Sequence, residues 1–289
     1  MKNNAFRIVY DAIVWGEKKV LDEEDLEKCI DIAAKNKVLL HFLRTMNIDG
    51  DIRVRRENMY KEFLRSLRLV ANALKDIDHV FIKLRKPVKY VPSDIDVLLR
   101  RRDIGKAYNR LRSLGFKAEV VEPYTLTVTR GSIIVDLYVH PTMGDIIYID
   151  GEKLIEYREN GFFEDIEIPV LEKPVEALIV AAHAVYKERI YTLNDYMTIK
   201  MWGSSKTVRL AKDFKCLDAV REALSINDMV GRGDLILPYK IPLNKWIILF
   251  TRKIFSDNVT RGTILRTSRA LRDPRFGKMV KSKLFRETY

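Results

Sequence analysis

Through the first 78 residues apolar side chains recur every three or four positions. In "DEEDLEKCIDIAAKNKVLLHFLRTM" the residues Leu26, Ile30, Ala33, Val38, Leu39 and Phe42 fall near helical period, and Asp22 offers an N-cap ahead of an acidic first turn that the helix dipole favours. "NIDGD" (47–51) reads as a loop. In "RRENMYKEFLRSLRLVANALKDI" the residues Met59, Phe63, Leu67, Val70, Leu74 and Ile77 share one face between charged flanks. Residues 1–78 are therefore expected to form an N-terminal helical region.

At residue 79 the period changes. "HVFIKLR" (79–85) and "DIDVLLR" (94–100) predict strands on either side of the loop "KPVKYVPS". "DIGKAYNRLRSLGF" (103–116) predicts an amphipathic helix: Ile104, Ala107, Tyr108, Leu111 and Leu114 share a face and Gly115 supplies the stop. "KAEVVE", "TLTVTR" and "SIIVDLYVH" predict three short strands, the last two joined by a hairpin at Arg130–Gly131. Residues 79–145 thus read as a compact α+β core built on a small mixed sheet. After a variable stretch containing "DIIYID" and "FEDIEIPV", helical period returns in "PVEALIVAAHAVYKE", with Pro174 near its start, in "LNDYMTIKMW", and in "KTVRLAKDFKCLDAVREALS". "KIPLNKWIILFTRKIFSD" and "NVTRGTILRTSRALRD" add two more helices, so 146–289 is a mostly helical C-terminal region. The expected fold class is α+β, a mixed sheet flanked by helices at both ends.

Composition changes this picture in two ways. The 289 residues, 47% hydrophobic and 32% charged, fit a globular chain rather than a disordered one. The longest apolar runs, "ALIVAAHAV" and "WIILF", are too short to span a bilayer, and the N-terminus lacks the layout of a signal peptide. With two unpaired-looking cysteines, Cys29 and Cys216, a cytoplasmic protein without a membrane partner is expected. The net charge of +12 is unevenly placed: residues 201–289 hold 19 Lys+Arg against 8 Asp+Glu, whereas residues 1–200 hold 33 against 32. A localised basic surface suits a polyanion, and nucleic acid is the commonest. Arg266, Arg269 and Arg272 lie on one helical face and are the candidate nucleic-acid contacts; Pro274 interrupts the series before Arg275, Lys278 and Lys281. A solvated basic face is the plainer reading of the same residues.

The candidate chemistry lies in "SDIDVLL" (93–99). On a strand Asp94 and Asp96 project to one side while Ile95 and Val97 project to the other. Two adjacent carboxylates repel, and one would take up a proton unless a cation intervened. Hard oxygen ligands at this spacing suit Mg²⁺ or Mn²⁺. In "SIIVDLYVH" Asp136 is bracketed by Val135 and Leu137, a costly position for a charge without a partner. If that strand lies beside "DIDVLL", three carboxylates meet and can hold two metals about 4 Å apart, the arrangement of phosphoryl-transfer sites. Asp136 would assist as base toward an acceptor hydroxyl. An Asp-x-Asp alone marks many strand ends; the third strand acid is what favours ligation.

These segments resemble the nucleotidyltransferase fold of the DNA polymerase beta-like superfamily, and more narrowly an uncharacterised nucleotidyltransferase family with a helical N-terminal region. The matching segments are "FIKLR", "SDIDVLL", "VDLYVHPT" and "ALIVAAHAVYKERIYTLNDYMTI", over roughly residues 20–205. The resemblance implies Asp94, Asp96 and Asp136 as catalytic metal ligands, Mg²⁺ or Mn²⁺ as cofactor and an NTP as substrate, with NMP passing to an acceptor hydroxyl. RNA or tRNA is the acceptor that the basic C-terminus suggests. A toxin-like role with an antitoxin-type protein partner fits the same residues. The alternatives are a catalytically decayed nucleic-acid-binding protein on this scaffold, or transfer to a small molecule or a protein. Members usually carry Gly-Ser or Gly-Gly after the first strand; here that place reads Lys83–Leu84–Arg85–Lys86, with no glycine between 79 and 100. Phosphate binding then falls to side chains: Lys83, Arg85, Lys86 and Lys89, with Ser93 and Lys187 as further nucleotide contacts.

Three other positions carry two readings each. His140 shares the Asp136 face and either touches substrate or caps the strand. His183, on an apolar helix face, and Asp195 suggest a buried hydrogen bond tying two helices rather than catalysis. In "WGSSK" (202–206) a helix-capping serine is favoured over a phosphate loop, because the Walker spacing is missing.

Overall fold

The computed structural model describes residues 2–264. Helices α1 (Lys2–Trp15), α2 (Glu23–Lys35), α3 (Leu39–Thr45) and α4 (Asp51–Leu74) lead into the sheet. Asp22 caps α2 as the sequence predicts, its Oδ1 accepting the Asp25 N–H at 2.8 Å. The run from 22 to 46 is two helices, not one, because Lys37 takes a left-handed conformation (φ +57°) between them. On α4 the residues Phe63, Leu67, Val70 and Leu74 are buried, while Met59 is exposed and Tyr60 takes the inward place instead.

The sheet begins with β1 (His79–Phe81) and β2 (Ile95–Leu99), followed by α5 (Ile104–Ser113) and the meander β3 (Lys117–Val121), β4 (Thr125–Arg130) and β5 (Ile133–Tyr138). Gly115, at φ +89°, ends the α5 segment as its position suggests. A two-stranded ribbon, β6 (Thr142–Met143) with β7 (Ile146–Ile147), and the short helix α6 (Gly151–Leu154) come next. Gly151 is obligatory in this packing: a Cβ there would lie 2.1 Å from the Val139 carbonyl oxygen. The hairpin β8 (Arg158–Phe163) and β9 (Ile166–Leu171) then joins the sheet beyond β1. The strand order is β3-β4-β5-β2-β1-β9-β8, with β2–β5 and β1–β9 parallel and the remaining pairs antiparallel. The protein is α+β, and its mixed sheet draws two of seven strands from residues 158–171.

The chain continues through α7 (Lys173–Ala182), one π-helical segment (His183–Glu188), β10 (Ile190–Tyr191), α8 (Leu193–Trp202), α9 (Ser205–Asp213) and α10 (Leu217–Arg232). β11 (Tyr239–Lys240) pairs with β10, and α11 (Leu243–Ser256) and α12 (Asn258–Ile264) follow. Strand alternation splits the hydrophobic residues between two cores. Ile95, Val97, Val135 and Leu137 pack with α4 and α5 on one face. Val80, Ile82, Leu98 and Tyr138 pack with α1, α2, α3, α7 and α8 on the other. The acids on β2 and β5 project to this second face, where the sheet and the α2–α3 and α7–α8 layers enclose a cleft of about 460 Å³.

Candidate active site

The pairing of β2 with β5 decides the geometry. These strands run parallel with Ile95 opposite Val135, Asp96 opposite Asp136 and Val97 opposite Leu137. In-register parallel neighbours direct opposed side chains to the same face. Asp94, two residues before Asp96, reaches the same point from just ahead of β2. One carboxylate oxygen from each of Asp94, Asp96 and Asp136 lies within 4.8 Å of the others.

Each acid has a distinct environment. Asp136 accepts hydrogen bonds at both oxygens: from the Thr127 hydroxyl at Oδ1 and from the Tyr138 hydroxyl at Oδ2, 3.2 Å. Asp94 Oδ1 accepts from the Ser93 hydroxyl at 3.1 Å. Asp96 is buried, pairs through Oδ2 with the Lys83 ammonium at 3.0 Å, and leaves Oδ1 without a hydrogen-bond partner among the described residues. A buried acceptor of this kind costs free energy unless something coordinates it. Burial pushes Asp96 up to about 6; the Lys83 charge opposes the rise, and Asp94 and Asp136 add to it. A hard, all-oxygen donor set with one orphaned buried oxygen fits a divalent cation such as Mg²⁺ or Mn²⁺.

Basic side chains line the rest of the cleft: Lys37, Arg56, Lys83, Lys86 and Lys187. Burial lowers the pKa of Lys37, Lys86 and Lys187, partly offset by Asp195, Glu176 and Asp96 respectively among other neighbours. Burial works most strongly against the charge of Lys83, but Asp96, Tyr148 and Asp94 together outweigh it and hold this lysine above its ordinary value. The ammonium groups of Lys83 and Lys187 both sit over the Tyr138 ring, 5.3 and 5.7 Å from its centre. Asp94, Asp96, Asp136, Glu188 and Asp195 balance the five cations formally. A divalent cation therefore leaves the cleft positive, the condition for holding a polyphosphate.

Of the residues singled out from sequence, Lys83, Lys86, Ser93, Asp94, Asp96, Asp136 and Lys187 converge on this cleft. Arg85 does not: its guanidinium pairs with Glu159 at 2.7 Å, donates to the Leu171 carbonyl at 2.8 Å and lies over Trp202. Lys89 is taken up by Glu164. His140 closes the end of β5, accepting the Gly151 N–H at 3.0 Å against the edge of Tyr124. His183 lines the cleft, with Tyr148 at 3.1 Å and Glu188 at 3.4 Å as its partners, while Asp195 caps α8 through the Thr192 N–H and hydroxyl. Arg266, Arg269 and Arg272 lie outside the described residues. Sequence reading passes over Lys37, Arg56, Tyr138 and Glu188. For Lys37 the signal is present: "AAKNKVLL" carries an asparagine where a helix can stop, and the lysine beside it turns into the cleft.

No family model matches the chain, and no curated protein matches it. Solved structures align with it only weakly, two among them as follows. The antibiotic-resistance factor ANT(2'')-Ia is 11% identical over 73% of this chain and 99% of its own, with a TM-score of 0.34. JHP933 from Helicobacter pylori is 10% identical over 78% of this chain and 99% of its own, with a TM-score of 0.30. Scores this low transfer no activity, and the site rests on its own geometry. No helix among the described residues is long and apolar enough to cross a membrane.

A divalent cation bound at the acids would compete with a proton for Asp96, which sets an expected pH dependence. The carboxyl titrates near 6 in the folded chain against an ordinary 3.8, so the folded state holds the extra proton between these values. The associated stability is complete below about 3.8 and lost as pH rises through 6, about 3 kcal/mol for a shift of about two pH units. A divalent cation removes this penalty only where the group is ionised. The expected result is a rise in Tm with saturating Mg²⁺ or Mn²⁺ at pH 7.5 that fades as pH falls below 6. A cation-induced shift of equal size at pH 5 and 7.5 would contradict it.

Proposed function

We propose that this chain is a divalent-cation-dependent nucleotidyltransferase, moving NMP from an NTP to an acceptor hydroxyl, with RNA as the acceptor class. The observation that carries the reading is the in-register pairing of Asp96 with Asp136, which gathers three carboxylates at the wall of a lysine-lined cleft. The resemblance of "SDIDVLL" and "VDLYVHPT" to the polymerase beta-like nucleotidyltransferases supports the same assignment.

Asp94, Asp96 and Asp136 would hold the cation, Mg²⁺ or Mn²⁺, which when bound supplies charge neutralisation at the phosphates and lowers the pKa of the acceptor hydroxyl. Lys37, Lys83, Lys86 and Lys187 would bind the triphosphate as charge-assisted donors, the work that a glycine-rich loop does elsewhere through backbone N–H groups. Ser93 orients Asp94. Tyr138 and Thr127 donate to Asp136 and fix its carboxylate, so that it can take the proton from the acceptor hydroxyl. The acceptor oxygen bonds to the α-phosphorus as the α–β phosphoanhydride P–O bond breaks. Pyrophosphate leaves with the electron pair of that bond, and the product is the acceptor's NMP ester.

The basic charge of residues 201–289 supports RNA over a neutral acceptor, and Arg266, Arg269 and Arg272 are the proposed backbone contacts. The test is incubation of the full chain with each α-labelled NTP, Mn²⁺ and total RNA. Label in RNA is expected, falling about tenfold or more when these three arginines become glutamine, because each lost phosphate contact weakens binding. Label on a small molecule or protein, unaffected by those changes, would replace RNA as acceptor. Failure to label anything would overturn the enzymatic assignment.

A further inference from the structure

The cation next to Asp96 is already partly present, as a side chain. We infer that the acid cluster takes one divalent cation rather than two, the ammonium of Lys83 filling the second cationic position on Asp96. The inference rests on the nucleotidyltransferase reading and sharpens its metal requirement.

In a two-metal site the ions stand about 3.5–4 Å apart and share a carboxylate between them. Asp96 stands opposite Asp136 and two residues from Asp94, but only its Oδ1 is without a partner among the described residues; Oδ2 is engaged by Lys83 at 3.0 Å. Neither group can move to water to make room. The Asp96 and Lys83 side chains are 8% and 13% exposed, and breaking a buried ion pair leaves an uncompensated charge.

The backbone points the same way. Lys83 has φ +58°, a conformation that side chains disfavour and glycine adopts freely. It stands two residues after the first strand, in the segment where the resembling families place glycine beside the nucleotide phosphates. A lysine held there in a glycine conformation exchanges a backbone cradle for a fixed ammonium. Charge agrees as well. Lys83 and Lys187 both lie on the Tyr138 ring, whose hydroxyl bonds Asp136, so three carboxylates face two ammonium groups. One divalent ion turns that surplus of one negative charge into one positive. A second would leave three positive charges on this group of five side chains before any nucleotide arrives.

The test counts ions rather than turnover. Crystals of the full chain, soaked with Mn²⁺ and an α,β-methylene NTP analogue, are measured at the manganese edge. One anomalous peak bonded to the acids is expected, with Lys83 still on Asp96. Lys83→Met is expected to admit a second peak within about 4 Å of the first. Native mass spectrometry reads the same numbers if the variant does not crystallise: one Mn²⁺ per wild-type chain, two per Lys83→Met chain. Two peaks on the acids of the wild type, or a single ion in both proteins, would overturn the inference while leaving the metal site standing. No peak in either would overturn the metal-dependent reading itself.

Discussion

Asp96→Asn is expected to lower nucleotidyl transfer by at least about 10³-fold, equivalent to about 4 kcal/mol of lost transition-state stabilisation. Three features of this residue make its effect the largest of the acids. It sits opposite Asp136 in the parallel register, it carries the orphaned oxygen, and it anchors Lys83. An asparagine retains the shape but replaces one charged oxygen with an NH₂ group that cannot bind a cation. Either orientation of that amide is unfavourable: the NH₂ group meets the Lys83 ammonium, or it projects toward the cation position. Single-turnover labelling of RNA under saturating Mn²⁺ measures the loss, and far-ultraviolet circular dichroism shows whether the fold persists. Activity within tenfold of wild type would remove Asp96 from the reaction.

The acids themselves are legible in the sequence because alternation makes them so. Ile95, Val97, Val135 and Leu137 point into one core, and this fixes Asp96 and Asp136 on the opposite face before any coordinates are known. Their meeting is not legible. It depends on β5 lying between β4 and β2, and on a register in which a slip of one residue would send Asp136 to the wrong face. Arg85 illustrates the converse. Its place in a run of basic residues suggests phosphate binding, yet β8 and β9, which pack beside β1, bring Glu159 and the Leu171 carbonyl to it. That hairpin is hard to foresee: Pro169 weakens the strand signal, although β1 is only three residues long and meets β9 at Val170.

The π-helical segment from His183 to Glu188 is a second case. Nothing in "HAVYKE" distinguishes it from ordinary helix, and the wider turn is visible only in the coordinates. It follows α7 directly and carries three cleft residues, His183, Lys187 and Glu188. Sequence periodicity reports which side chains face a core. It is silent on a local change of pitch that re-aims polar ones.

Lys37 shows how a proposed nucleotide-binding residue can depend on a neighbour outside the cleft, and Asn36→Ala is expected to reveal it. Asn36 is fully buried. Its amide donates to the carbonyls of Ile32, at 3.0 Å, and Leu237, at 2.8 Å, and its Oδ1 accepts the Leu193 N–H at 2.9 Å. The Asn194 side chain in turn donates to the Lys37 carbonyl at 3.2 Å. The Asn36 side chain thus ends α2 and holds the start of α8, and the neighbouring Asn194 fastens the left-handed turn at Lys37. Alanine leaves the Leu193 N–H and the Leu237 carbonyl without this partner, at about 1–3 kcal/mol each, and opens a small void. A loss of about 3–5 kcal/mol is expected in urea unfolding, with Tm lower by about 10 °C for a chain of this size. Because the turn that directs Lys37 into the cleft loosens, KM for NTP should rise more than kcat falls. Asn36→Asp should recover only part of the stability, since a carboxylate accepts the Leu193 N–H but has nothing to donate to Leu237. A change below about 1 kcal/mol for Asn36→Ala would mean that the α2–α8 junction is held elsewhere. An unchanged KM in a destabilised variant would separate the clamp from the position of Lys37.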